Sequence, residues 1–156
     1  ASQFRWTMLN IGKVDITGLD VKADGGYRKG KWSAGLTLRY SLQQALDHSS
    51  PGSQTWGNQI PYIPLHSGSV DASVAWNGWT LGWNTILTGE RWSRTANTPD
   101  YHIMPWSTTD VSLAKSFGSG MTVSLNFNNI FDKHYEIVQG YPMPGFNAFV
   151  SVEYRW

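Results

Sequence analysis

Apolar residues return at every second position through seven segments of this chain, while helical spacing is nearly absent. That period puts alternate side chains on opposite sides of a β-strand, so each segment is expected to carry one apolar and one polar face. The last segment is the clearest. Phe146, Ala148, Val150, Val152, Tyr154 and Trp156 share one face; Asn147, Ser151, Glu153 and Arg155 share the other, with Phe149 as the exception. The same alternation runs through residues 19–27, 32–42, 70–76, 79–87, 111–117 and 121–127. The fold class expected is therefore all-β.

Upstream, Val14 and Ile16 fall out of phase with Leu19 and Val21. A β-bulge near Gly18 is the expected remedy, because one extra residue resets the alternation. Phe4, Trp6 and Met8 predict the end of an eighth strand, turning back through Asn10-Ile11-Gly12.

The connections sort by length. Lys29-Gly30, Asn77-Gly78 and Gly118-Ser119 read as tight hairpins. Between them lie long polar segments, residues 48–66, 95–105 and 132–145. In an antiparallel meander this gathers all the long loops at one end. Transmembrane β-barrels have that arrangement, with tight periplasmic turns and long outer loops. Residues 31–47 and 79–94 also predict long strands, and a strand crossing a bilayer needs about 9–11 residues.

Charge assigns the faces. Asp20, Lys22, Asp24, Arg39, Asp71, Glu90, Asp110, Glu153 and Arg155 fall on the polar face. Only Lys115 and Arg91 fall on the apolar one, near strand ends where a long stem can snorkel. A Lys or Arg facing lipid at midplane costs about 2–4 kcal/mol. The polar face is thus expected to line a wet lumen and the apolar face to meet lipid. Nine Trp and an aromatic fraction of 14% suit the aromatic girdles of such a wall. Two rivals remain. A soluble aromatic-rich β-sandwich that binds sugars would alternate equally well, and a self-contained eight-stranded barrel with a structural or adhesive role would use residues 3–9 as its first strand.

Several classes are excluded or bounded. Cysteine is absent, so neither a disulfide nor a thiolate metal site is possible. A net charge of +1 with no basic run gives no reason to expect nucleic acid as a partner. No stretch of about 18 apolar residues offers a transmembrane helix. Ala1-Ser2-Gln3-Phe4-Arg5 lacks both an initiator Met and an apolar signal core, so the chain reads as a mature protein or as a piece of a longer one.

Four short motifs resemble TonB-dependent outer-membrane receptors. Asn128-Asn129-Ile130-Phe131-Asp132-Lys133-His134-Tyr135 is similar to the family's N-hydrophobic-F-D-K-x-Y signature before its last outer loop. Gly140-Tyr141-Pro142-Met143-Pro144-Gly145 resembles the P-x-P-G-R approach to the final strand, with Phe146 in place of Arg. Ile60-Pro61-Tyr62-Ile63-Pro64-Leu65-His66-Ser67 resembles a proline-rich loop before a strand, and Ile16-Thr17-Gly18-Leu19-Asp20-Val21 a glycine–acid strand motif with Asp for Glu. Trp156, Tyr154 and Val152 resemble the terminal aromatic signal read by the barrel-assembly machinery, with Ser151 where a glycine is common. On that resemblance, Trp156 marks a true C-terminus.

The resemblance implies antiparallel transmembrane strands, seven or eight of them, forming the last third of a roughly 22-stranded barrel. It implies that residues 1–156 are the C-terminal part of such a barrel, without a plug domain. It further implies import of a scarce nutrient (siderophore-bound iron, haem or cobalamin) across the outer membrane of a Gram-negative bacterium. The implied partners are the plug and N-terminal strands, on the same or a separate chain, TonB through the missing N-terminal part, membrane lipid and lipopolysaccharide, and a surface lipoprotein.

No catalytic constellation, phosphate loop or nucleophile elbow occurs, so no enzyme and no cofactor is expected. Asp71 and Asp110 are explained as lumen charges. The four histidines, His48, His66, His102 and His134, fall in loops or at their edges, without ligand spacing for a metal. Trp56, Tyr62, Trp92 and Tyr101 form a candidate aromatic surface. Ligand contacts in the outer loops are assigned to Trp56, Tyr62, Tyr101, His102, His134 and Tyr135; solvated loop histidines and girdle aromatics are the competing explanation.

Overall fold

A computed structural model of the chain describes residues 12–156. The end of an eighth strand predicted at Phe4, Trp6 and Met8 lies outside the described residues, and so does the first strand of the eight-stranded alternative, residues 3–9.

Eleven strands follow in order: β1 (Val14–Lys29), β2 (Trp32–Asp47), β3 (His66–Trp76), β4 (Trp79–Thr88), β5 (Arg91–Trp92), β6 (His102–Ile103), β7 (Trp106–Ser116), β8 (Met121–Asn128), β9 (Glu136–Val138), β10 (Tyr141–Pro142) and β11 (Asn147–Tyr154). The seven long ones make one antiparallel sheet in the order β1-β2-β3-β4-β7-β8-β11. The short ones pair β5 with β6 and β9 with β10 inside the loops. Among the described residues there is one 3-10 turn, Pro99–Tyr101, and no α-helix.

Register carries each predicted face across the sheet. Leu36 pairs with Ala72, Ala72 with Trp83, Trp83 with Val111, Val111 with Phe127, and Phe127 with Ala148. One position along, Thr37 pairs with Asp71, Asp71 with Asn84, and Asn84 with Asp110. An apolar surface and a polar surface therefore back each other through seven strands.

Burial argues against the sandwich alternative. Ala45 and Ile103 are the only buried apolar residues among those described. Leu36, Leu81, Leu125 and Val150 are all more than 40% exposed on the apolar face. No second layer formed by the described residues covers either side. A continuous apolar patch of this size has no stable contact with water, and lipid is the solvent that suits it.

The turn end of that face carries an aromatic rim. Trp32 and Trp76 stack with ring centroids 5.5 Å apart. Lys115, predicted to snorkel, donates to the Asn77 carbonyl at 2.9 Å and holds its ammonium 5.0 Å over the Trp79 ring. The turns themselves are tight. Asn77 and Gly78 sit at φ 49° and 82°, the pair of positive values that a type I′ hairpin requires. The third hairpin is one residue longer than its Gly118-Ser119 signal, because Phe117 N–H bonds the Met121 carbonyl and Gly120 takes the positive φ of 80°.

Two sequence expectations are corrected. There is no bulge at Gly18: β1 pairs β2 without a break from Val14↔Asp47 to Lys29↔Trp32. Val14 and Ile16 simply project from the face that carries Asp20. They stand beyond the apolar rows, where lipid no longer dictates which face is apolar. The strand predicted over residues 79–94 ends at Thr88. Glu90 and Arg91 leave the wall, so neither belongs to the face assigned to it.

Candidate functional site

The polar face is concave. A hollow of about 390 Å³ is lined by residues of six strands, including Asp24, Thr37, Asp71, Asn84, Asp110 and Asn126. Its charges are mutually tied. Arg39 Nη1 donates to Asp71 Oδ2 at 2.5 Å, and Asn84 Nδ2 donates to Asp71 Oδ1 at 2.6 Å. Thr37 donates to Asp24 at 2.8 Å, and Lys22 pairs with the same carboxylate at 2.9 Å. Asp71 and Asp110 do not act as a carboxylate pair, since Asn84 stands between them in register. The surface is a hydrogen-bonded polar wall.

The three long connections, residues 48–65, 89–105 and 129–146, all leave the same end of the sheet. They are referred to as outer loops one, two and three. They bind one another. Asn58 Nδ2 donates to the Thr95 carbonyl at 2.8 Å, and Tyr62 N–H to the Trp92 carbonyl at 2.7 Å, joining loops one and two. Arg91 Nη2 donates to the carbonyls of Glu136 at 2.7 Å and Ile137 at 3.1 Å, joining loops two and three. Gln139 accepts from the Ser93 hydroxyl and donates to the Asp100 carbonyl. Arg91 is only 4% exposed, and burial pulls its guanidinium below the usual arginine range.

Loop one also extends the sheet. Where β3 stops, the Gln59 carboxamide takes the place of a peptide beside β2: its Oε1 accepts from Ala45 N–H at 3.2 Å and its Nε2 donates to the Gln43 carbonyl at 3.4 Å. At the end of β2, hydrogen bonds from Ser49 and then Thr55 hold the Asp47 carboxyl below the ordinary carboxylate range.

The two C-terminal motifs meet in loop three. Asn129 adopts φ 48°, and its side chain accepts from Lys133 N–H at 2.9 Å and donates to the carbonyls of Lys133 and Pro144. Asp132, at φ 49°, accepts the Phe146 N–H at 2.8 Å. A Cβ on Gly145 would collide with that carboxylate. The motif residues thus build the fold of the loop rather than a site of chemistry.

The assigned contact residues divide. His102, His134 and Tyr135 line one cleft of about 300 Å³ between loops two and three. Trp56, Tyr62 and Tyr101 do not reach it. Trp56 packs on His48 with centroids 4.6 Å apart, Tyr62 is 40% exposed at φ 64°, and Tyr101 lies under the Arg94 guanidinium at 4.2 Å. His102 bonds Glu90 at 3.1 Å and packs on Trp92. His66, at the outer end of the apolar face, bonds the Tyr40 hydroxyl at 2.8 Å. No cluster of His, Asp or Glu suited to a metal forms among the described residues. Tyr154 and Val152 stand on the lipid-facing side of β11, and Trp156 is fully exposed beyond it.

Sequence reading did not single out Trp106, whose ring packs against Tyr135 at 4.3 Å, nor Gln59. Arg91 was noticed only as a misplaced charge. A cation interrupting an apolar alternation was the signal available for it; Gln59 had none.

The sequence matches the family described as "TonB dependent receptor-like, beta-barrel" over residues 1–130, and the chain belongs to that family. The fold is similar to the siderophore receptor PiuA from Acinetobacter baumannii, with a TM-score of 0.71 and 17% identity over 89% of this chain and 21% of that one. The ferric yersiniabactin uptake receptor FyuA from Yersinia pestis gives 0.64 and 19% over 88% and 22%. The ferric citrate transporter FecA gives 0.68 and 19% over 75% and 20%. The chain therefore spans about a fifth of the length of these receptors. The family is one of outer-membrane barrels of Gram-negative bacteria.

Proposed function

We propose that this chain is the C-terminal wall and outer-loop part of an outer-membrane transporter that imports a scarce nutrient, an iron chelate before others. The observation that carries the reading is the pairing of faces and loops on one sheet. An apolar surface backs a concave polar one, and three long loops crown the same end. A wall of this kind separates lipid from a wet passage, and its loops meet solute first.

Among the described residues the sheet does not close on itself, which supports a need for further strands. Its order runs from β1 to β11, and unpaired edge backbone is costly in lipid. The remaining strands and a plug would come from the rest of the receptor, with TonB acting through that part. Lipopolysaccharide would surround the outer rim, and a surface lipoprotein is a further partner in this reading. The process is binding and gated passage, with no covalent step.

The test is uptake. A bacterium carrying the full receptor is compared with its deletion strain, with and without TonB, using radiolabelled iron supplied as citrate, as siderophore chelates and as haem, and radiolabelled cobalamin. Receptor- and TonB-dependent accumulation of at least one chelate is expected. Equal accumulation in all four strains for iron, cobalamin and haem would overturn the reading.

A further inference from the structure

We propose that the cleft between outer loops two and three seats a planar aromatic acid, its ring against the Trp106–Tyr135 pair and its acid oxygen on Lys133. The inference rests on the transport reading and narrows it to a class of ligand.

The cleft of about 300 Å³ lies at the small end of ligand pockets, large enough for one substituted ring with its acid group. Its walls come from both loops. His102 and Met104 stand on one side; Lys133, His134 and Tyr135 stand on the other. Both Trp106 and Tyr135 line it, their rings 4.3 Å apart with 38° between the planes. Packing on Trp106 fixes the Tyr135 ring and leaves its outer face and edge to meet a ligand, which favours a flat partner over an aliphatic one.

The polar groups set the sign of the ligand. Lys133 forms no ion pair among the described residues. His134 and the Tyr135 hydroxyl make no side-chain hydrogen bond there, and the buried Trp106 indole N–H has no acceptor. Glu136 is the one carboxylate in the cleft, and one of its oxygens is already occupied by Gly140 N–H at 2.8 Å. Lys133 is the donor-only group of the cleft and has no carboxylate partner among the described residues, whereas Glu136 is half occupied, so an oxyanion is favoured over a cation. A charge-assisted bond from Lys133 to that oxyanion supplies directionality as well as attraction.

The walls are held before a ligand arrives. Arg91 and Gln139 tie loop two to loop three on the same side as the cleft, through Glu136, Ile137 and Asp100. A seat fixed in advance loses less ordering entropy on binding.

The experiment uses the full receptor in detergent and three probes: benzoate, benzamide and cyclohexanecarboxylate, titrated by saturation-transfer NMR. Benzoate is expected to bind roughly tenfold tighter than either of the others. Lys133→Met should weaken benzoate roughly tenfold and leave benzamide unchanged, while Tyr135→Leu should weaken both aromatic probes. Equal benzoate binding by the wild type and Lys133→Met overturns the seat. A receptor that imports its nutrient yet shows that equality overturns the seat and leaves the transport reading standing. Lys133-dependent benzoate binding by a receptor without TonB-dependent uptake supports the seat and overturns the transport reading.

Discussion

Asp132 accepts the backbone N–H of Phe146 at 2.8 Å and so closes the last outer loop onto the start of the final strand. Gly145 is the residue that lets this happen, because any Cβ there would meet the Asp132 carboxylate. Asp132→Ala should therefore open the loop without disturbing the wall, at a cost of about 1–3 kcal/mol for the hydrogen bond to a charged acceptor. Gly145→Ala should have the same effect by steric means. Limited trypsin digestion of the full receptor would read it, as faster cleavage at Lys133 with an unchanged wall. Equal digestion of both variants and the wild type would contradict the assignment.

Arg91 makes a second prediction. Its two bonds to loop-three carbonyls link loops two and three from a buried position. Arg91→Ala leaves both carbonyls without their donor, a loss of about 1.5–3 kcal/mol. Hydrogen exchange should rise together in residues 89–105 and 129–146, while β4, β7 and β8 keep their protection. A rise confined to loop two would show that the loops are not coupled through this residue.

The Gln59 rung supplies a third. Ala45 is fully buried, and its N–H depends on the Gln59 carboxamide. In Gln59→Ala that amide should exchange faster, with a penalty of about 1–3 kcal/mol for the unsatisfied group. Gln59→Glu keeps an acceptor for Ala45 but loses the donor to Gln43, and should fall between the two.

Acid should loosen loop one. The Asp47 carboxyl is stabilised in its charged form by Ser49 and Thr55, so its folded pKa lies below its unfolded value. A depressed carboxylate contributes stability that is present above the unfolded value, about pH 4, and is lost as pH falls through the folded one. Asp15, held low chiefly by its hydrogen bond from His48, acts in the same direction. Proteolysis by pepsin between pH 4 and pH 2 should increasingly cut residues 48–58, and Asp47→Asn should make that region sensitive already at neutral pH.

The lipid face predicts a contrast between neighbours. Leu36 lies in the middle of the apolar rows and Ser33 on the opposite face of the same strand. Leu36→Arg should cost about 2–4 kcal/mol and reduce the heat-resistant receptor recovered from outer-membrane fractions. Ser33→Arg should leave recovery near the wild-type level. Equal loss in both would deny that the two faces meet different solvents.

Much of this architecture was legible in the sequence. Period-two alternation located all seven wall strands, and Asn77-Gly78 fixed a turn to the residue. The charges on the polar face fixed its side. What stayed hidden were relations across long separations. Val14 and Ile16 looked like a bulge, because the sequence does not show where the apolar rows end and the strand continues in water. Arg91 looked like a wall residue, since alternation cannot reveal that a strand has stopped at Thr88. His102, His134 and Tyr135 were readable as loop residues. Their shared cleft with Trp106 depends on how two loops fold against each other, which local pattern does not encode.

The Arg91 clamp has a consequence for how such a receptor changes over generations. It grips main-chain oxygens of residues 136 and 137, and every amino acid offers the same oxygen. Mutation can therefore rewrite the side chains bordering the cleft while the grip persists. A lineage can alter what the crown displays without dismantling it.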